Sequence, residues 1–222
     1  LNLPPYTIRL KFKDGVTPSF SQGTAVQVSS SPDNVWDLTY QNAAWDGLCF
    51  NQSNLLEVLG ANTTSVTSMI AMFINCESLT TVPLFDTSSV TSMFGMFSSC
   101  TALTEVPLFD TSSVTDMGNM FSSCTALTTV PLFDTGSVTN MSGMFSTCMA
   151  LTTVPLFNTT SLTDVSTTFR FCYNVESGAL ALYNQMAGQA TPPSSHTYCF
   201  QSCGSNTVSG SAELSQIPSG WK

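Results

Sequence analysis

Positive charge is almost missing from this chain: of 222 residues only five are Lys or Arg, and none occurs between Lys13 and Arg170. Against 14 Asp and Glu this leaves a formal net charge of -9. Over that stretch the surface has no cations with which to hold phosphates, so no nucleic-acid partner is expected and anionic membranes are poor partner candidates. Long apolar runs are lacking too. The roughly 20 consecutive apolar residues that cross a bilayer never occur, and no membrane insertion is expected. With a single histidine, His196, no Ser/His/Asp set of defined geometry can be assembled. No glycine-rich phosphate loop follows a strand either.

Only 9% of the residues are charged, yet 42% are hydrophobic and recur at fixed positions, which predicts a packed core rather than disorder. Solubility then rests on Ser, Thr, Asn and Gln, a surface style that points to an extracellular, cell-surface or virion location. The chain opens on Leu1 rather than Met, which fits a removed leader as well as omitted residues.

What is present is a repeat. Cys76, Cys100, Cys124, Cys148 and Cys172 follow one another at steps of 24 residues. Phe73 to Phe169, Met69 to Met141 and Pro83 to Pro155 keep the same step, and a period of this size marks stacked coils. Val90, Met93, Met96, Phe97 and Cys100 fall at steps of three or four, which predicts one face of a helix. Asp86, Asp110 and Asp134, with Asn158 once in their place, are expected to cap these helices at their N-termini.

The segment Leu79-Thr80-Thr81-Val82-Pro83-Leu84 matches the L-x-x-L-x-L pattern of leucine-rich repeats and reads as a short strand. Pro83 and its equivalents donate no backbone hydrogen bond, so strands of three or four residues are expected, with the prolines outward. The inward set of each coil is read as Leu79, Val82, Leu84, Val90, Met93, Met96, Phe97 and Cys100. One coil cannot bury enough apolar surface to offset its own ordering, and stacking is required. The fold class expected is an α/β solenoid, a right-handed stack of 24-residue strand-helix coils.

Both ends depart from the repeat, as caps must. Residues 1–54 carry an alternating strand, Tyr6 to Phe12, a Lys13-Asp14-Gly15 turn and a second strand near Thr24 to Val28; Trp36 and Trp45 are read as covering the first coil. Residues 55–175 form the array. In residues 176–222, Cys199 to Cys203 resembles Met144 to Cys148 but lies seven residues late, which predicts an inserted helix between Gly178 and Gly188 and a break at Thr191-Pro192-Pro193.

The run Phe85-Asp86-Thr87-Ser88-Ser89-Val90-Thr91-Ser92-Met93-Phe94-Gly95-Met96-Phe97-Ser98-Ser99-Cys100 resembles the repeat of the BspA-like leucine-rich-repeat proteins of bacterial surfaces, F-D-T-S-x-V-T-x-M-x-x-M-F-x-x-C. The resemblance covers residues 55 to 175. It implies a secreted or surface-anchored protein that binds extracellular matrix or other cells. Val-Pro-Leu-Phe directly before the Asp departs from the pattern by shortening the link between strand and Phe. A short member with its own caps also suits a bacteriophage tail or head appendage, assembled with other subunits.

Individual sites favour plain roles. The cysteine ladder reads as buried thiols, because equivalent inward positions on neighbouring coils cannot all pair. Cys199, Cys203 and His196 have half-site spacing for zinc but no fourth ligand, so no metal is assigned. Asp110 and Asp134 would sit about 5 Å apart, as in a glycosidase pair, yet their repetition speaks for capping. One carboxylate per coil is thin for calcium. No cofactor and no enzyme activity are expected. The remaining candidate is a strip on the concave face made by Thr81, Pro83, Glu105, Pro107, Thr129, Pro131, Thr153 and Pro155, a weakly polar surface for a protein or glycan partner. Phe85, Phe109, Phe133 and Phe157 are read as an inward aromatic spine.

Overall fold

The computed structural model describes residues 3–20, 22–29 and 33–222. Four strands open it: β1 (Thr7–Phe12), β2 (Thr24–Ser29), β3 (Val35–Thr39) and β4 (Leu55–Ala61). They form an antiparallel sheet in the order β2-β3-β1-β4. In β1 the alternation of the sequence is obeyed, with Ile8, Leu10 and Phe12 buried. Arg9 faces Asp37 directly across the β1–β3 pair and binds its carboxylate through two hydrogen bonds of 2.6 and 2.7 Å. The turn at Lys13-Asp14-Gly15 does not bring β2 against β1, because β3 takes that place.

β4 joins the sheet to the repeats. One of its edges pairs with β1; on the other, Glu57 bridges Thr81 in parallel and the Thr80 N–H donates to the Leu56 carbonyl at 3.1 Å. On both sides of β4 the chain runs in coils, of 24 residues each as far as Asp164, linked by parallel bridges from Ala44 through Ser68, Ser92, Asp116, Asn140 and Asp164 to Ser195. Hydrogen bonding between coils therefore begins twelve residues upstream of Leu55, where the Thr67 N–H donates to the Ala43 carbonyl at 2.8 Å. Trp45 is a fully buried member of the first coil rather than a lid over it, and Trp36 is half-buried in β3.

No helix forms over Val90–Cys100 or its equivalents, contrary to the reading of its period. The N–H groups of Met93, Gly95, Phe97 and Ser99 donate instead to the carbonyls of Asp116, Gly118, Met120 and Ser122 in the next coil, at 2.9, 2.8, 2.9 and 2.7 Å. Those of Met96, Ser98 and Cys100 turn back three residues, to Met93, Gly95 and Phe97. Gly95 and Ser99 take left-handed backbone, φ 62° each, and each inner coil repeats this at the same two places. A left-handed residue every fourth position breaks the 1→5 bonding of an α-helix, and the neighbouring coil supplies the partners that the helix would have supplied.

The Asp residues cap turns, not helices. Asp110 Oδ1 accepts from the Ser112 N–H at 3.1 Å and from its hydroxyl at 2.7 Å, and Asp86, Asp134 and Asn158 each accept the N–H of the residue two further on. The strand reading of Leu79–Leu84 gives way as well. Thr81 and, far along the stack, Thr153 make single bridges, and no continuous ladder passes through the prolines. Inward residues here follow a step of three, Leu79, Val82 and Phe85; Leu84 points out to solvent at 66% exposure.

The core is a set of columns. Phe73, Phe97, Phe121, Phe145, Phe169 and Phe200 stack one coil apart with ring centroids 5.3 to 5.8 Å from each other. Phe85, Phe109, Phe133 and Phe157 are buried beside them, each about 6 Å from the first column. Thr87, Thr111 and Thr135 are buried too, and their hydroxyls donate to the carbonyls of Asp110, Asp134 and Asn158 in the coil that follows.

At the far end the step lengthens. The Phe169 N–H reaches the carbonyl of Cys199, thirty residues on, where Phe97 reaches twenty-three. The inserted residues include α1 (Ala179–Ala187), which starts after Gly178 and stops before Gly188. α2 (Val208–Gln216) and a 3-10 turn (Ser219–Trp221) follow, and Trp221 lies 4.1 Å from the His196 ring and 6.4 Å from Phe200, closing the aromatic column.

Candidate partner-binding strip

Every second or third residue of Thr81–Asp86 faces water, and each coil repeats the arrangement. Thr81, Glu105, Thr129 and Thr153 are exposed, and Pro83, Pro107, Pro131 and Pro155 are half-buried. The structure thus places all eight sequence-derived residues along one strip. It adds a column that sequence reasoning had sent inward: Leu84, Leu108, Leu132 and Leu156 are 66, 59, 62 and 55% exposed. Next to them run Asp86, Asp110 and Asp134, also exposed, with Asn158 in the fourth coil.

The leucines stand as a ridge between hollows. On the proline side, Thr81, Val82, Glu105, Val106 and Pro107 line a hollow of about 290 Å³, and Thr129, Val130, Leu132, Thr153, Pro155 and Leu156 one of about 280 Å³. On the aspartate side a larger depression, about 510 Å³, is bounded by Leu132, Asp134, Leu156, Asn158 and the α1 residue Gln185. The ridge has a firm base, because Phe85, Phe109, Phe133 and Phe157 immediately follow each leucine and are packed in the core. Hydrogen bonds from Ser112 hold the Asp110 carboxyl below its ordinary value, so it keeps its negative charge.

Chemical groups elsewhere are engaged. The thiols of Cys76, Cys100, Cys124, Cys148 and Cys172 each donate to a carbonyl of the preceding coil at 3.0 to 3.1 Å. All eight cysteines are free and buried. Burial pushes Cys76, Cys124 and Cys172 up to about 12, far from a reactive thiolate at neutral pH. The Cys199 and Cys203 side chains are enclosed, and the His196 ring is stacked on Trp221. Among the described residues no three His, Cys, Asp or Glu side chains come together as a metal site, and no helix is long and apolar enough to cross a membrane.

A family model described as "Mycoplasma protein of unknown function, DUF285" matches residues 48–129 and 102–185. The chain belongs to this family. The match spans most of the bonded array, from within the first coil into α1, and supports the kinship with BspA-like repeat proteins, without bearing on the individual motif. No curated protein matches the chain. Among solved structures it is similar to a leucine-rich repeat protein from Eubacterium ventriosum, at 21% identity and a TM-score of 0.41, over 63% of this chain and 35% of that one. The chain therefore spans about a third of that protein's length.

Proposed function

We propose that this DUF285 chain is a non-enzymatic binding module, secreted or exposed on a cell surface, of the leucine-rich-repeat solenoid type, and that it takes a protein or glycan partner on the strip from Thr81 to Leu156. The observation that carries the reading is the leucine column: four coils in succession leave the same large aliphatic side chain in water while burying their neighbours. Isolated exposed leucines are ordinary, but a contiguous repeated row is the kind of patch that marks an interaction site. Aliphatic contact of this sort favours a protein over a glycan. Binding screens against purified matrix proteins and glycans test the reading. A partner bound by the wild-type chain should be weakened by Glu105→Lys, Thr129→Lys and Leu132→Ser; a partner indifferent to all three removes the strip as the site.

A second reading is a structural subunit of a larger assembly, such as a virion appendage. It is favoured by β2, an edge strand whose Val26 and Val28 are 58 and 48% exposed. Native mass separates the two: a monodisperse monomer supports the binding module, and a defined oligomer that dissociates on Val26→Lys supports the subunit.

A further inference from the structure

We infer that the leucine ridge is shaped for a basic amphipathic α-helix lying along the stack; the inference rests on the strip being the binding site. Three observations carry it.

The first is metre. Successive coils place equivalent groups 5.4, 5.7 and 5.6 Å apart along the central aromatic column. Along the phenylalanines that directly follow the leucines the spacing is 5.7 Å from Phe85 to Phe109 and 6.5 Å from Phe109 to Phe133. An α-helix advances about 5.4 Å per turn, so one apolar side chain per turn meets successive leucines to within about 1 Å at each step.

The second is charge. Asp86, Asp110 and Asp134 flank the ridge on one side and Glu105 on the other, all exposed, and the chain has no Lys or Arg between residues 13 and 170. Two copies meeting through this ridge would set acids near acids with no cation to answer them, which costs affinity. A partner carrying Lys or Arg beside its apolar face meets an unopposed negative border.

The third is relief. The ridge has hollows of about 280 to 510 Å³ on both flanks, room for side chains at the i+3 and i+4 positions of a helix whose apolar stripe straddles the leucines. Four coils match about three helical turns, a contact of about 11 residues.

The test uses the full chain and three synthetic peptides of about 14 residues, long enough for that contact: a Lys/Leu amphipathic helix, the same helix with Glu for every Lys, and a scrambled Lys/Leu peptide without a face. Calorimetry at low and high salt gives the affinities. The Lys/Leu helix is expected to bind at least about tenfold more tightly than either control, to lose about tenfold or more on Leu108→Ser with Leu132→Ser, and to weaken as salt rises. Unchanged thermal midpoints confirm that the variants are folded. Equal binding of the Glu helix or the scrambled peptide overturns the inference, as does indifference to the leucine pair. If no peptide binds while a partner from the matrix and glycan panel is lost in the leucine variant, the helix is overturned and the strip stands. If panel binding survives every strip substitution, both fall. A wild-type dimer that Leu132→Ser dissociates, with no peptide binding, assigns the ridge to a second copy and overturns the helix.

Discussion

The Cys124 thiol donates to the Phe97 carbonyl at 3.1 Å, and that carbonyl also accepts the Cys100 N–H at 3.0 Å. One backbone oxygen therefore serves the turn of its own coil and the side chain of the next. The same relation recurs from Cys76 to Cys172, so the cysteines are fastening points between coils, small buried donors that each reach a carbonyl of the coil before.

Thiol reactivity follows from this burial. In the native chain at pH 8 a maleimide or disulfide reagent should label none of the eight cysteines within minutes, and all eight should react in guanidinium. The mass of the alkylated protein should be the same with and without reductant. A native-state bridge would show as a difference between the two.

Alkaline pH should weaken the fold. Cys76, Cys124 and Cys172 are raised from 9.0 to about 12 by desolvation, so the unfolded chain loses these protons first. Their contribution is complete below pH 9 and is lost progressively as pH rises towards 12. Denaturant midpoints measured across that window should fall, and Cys124→Ala should flatten the fall while lowering stability at pH 7.

The stacked column should be the costliest place to cut. Phe121 sits between Phe97 and Phe145 at 5.7 and 5.6 Å, and Phe121→Ala should lose about 3 to 5 kcal/mol by equilibrium unfolding. Leu132→Ser, on the exposed ridge, should stay within about 0.5 kcal/mol of wild type. Similar losses for both would mean that the ridge is packed rather than free.

Backbone shape at the far end gives a fourth expectation. Gly178, φ 97°, immediately precedes the inserted helix, and a Cβ there would run into the Val154 carbonyl oxygen. Gly178→Ala should cost on the order of 2 kcal/mol or more, from the left-handed backbone and the clash together. Hydrogen exchange should show the loss first in α1 and the coil of Val154 to Ser177.

The candidate site was half legible. Thr81, Glu105, Thr129 and Thr153 face water as expected, because each is polar and precedes a valine that is turned towards the core. Leu84 misled, since strand alternation and the leucine-rich pattern both send it inward. Phe85, larger and next in line, takes the interior instead, and the step becomes three because prolines deny the segment a ladder that would enforce a step of two.

The 24-residue period, written in Phe, Met and Cys, was enough to establish that coils stack and which columns they bury, since apolar groups recurring in register have no other way out of water. Which carbonyl each amide finds was left to the tertiary structure. Gly95 and Ser99 bond forward to the next coil rather than back along a helix, and Trp45 and Cys49 fill Met and Phe positions of a first coil that carries no motif. Both outcomes depend on a neighbour that exists only once the coils have come together.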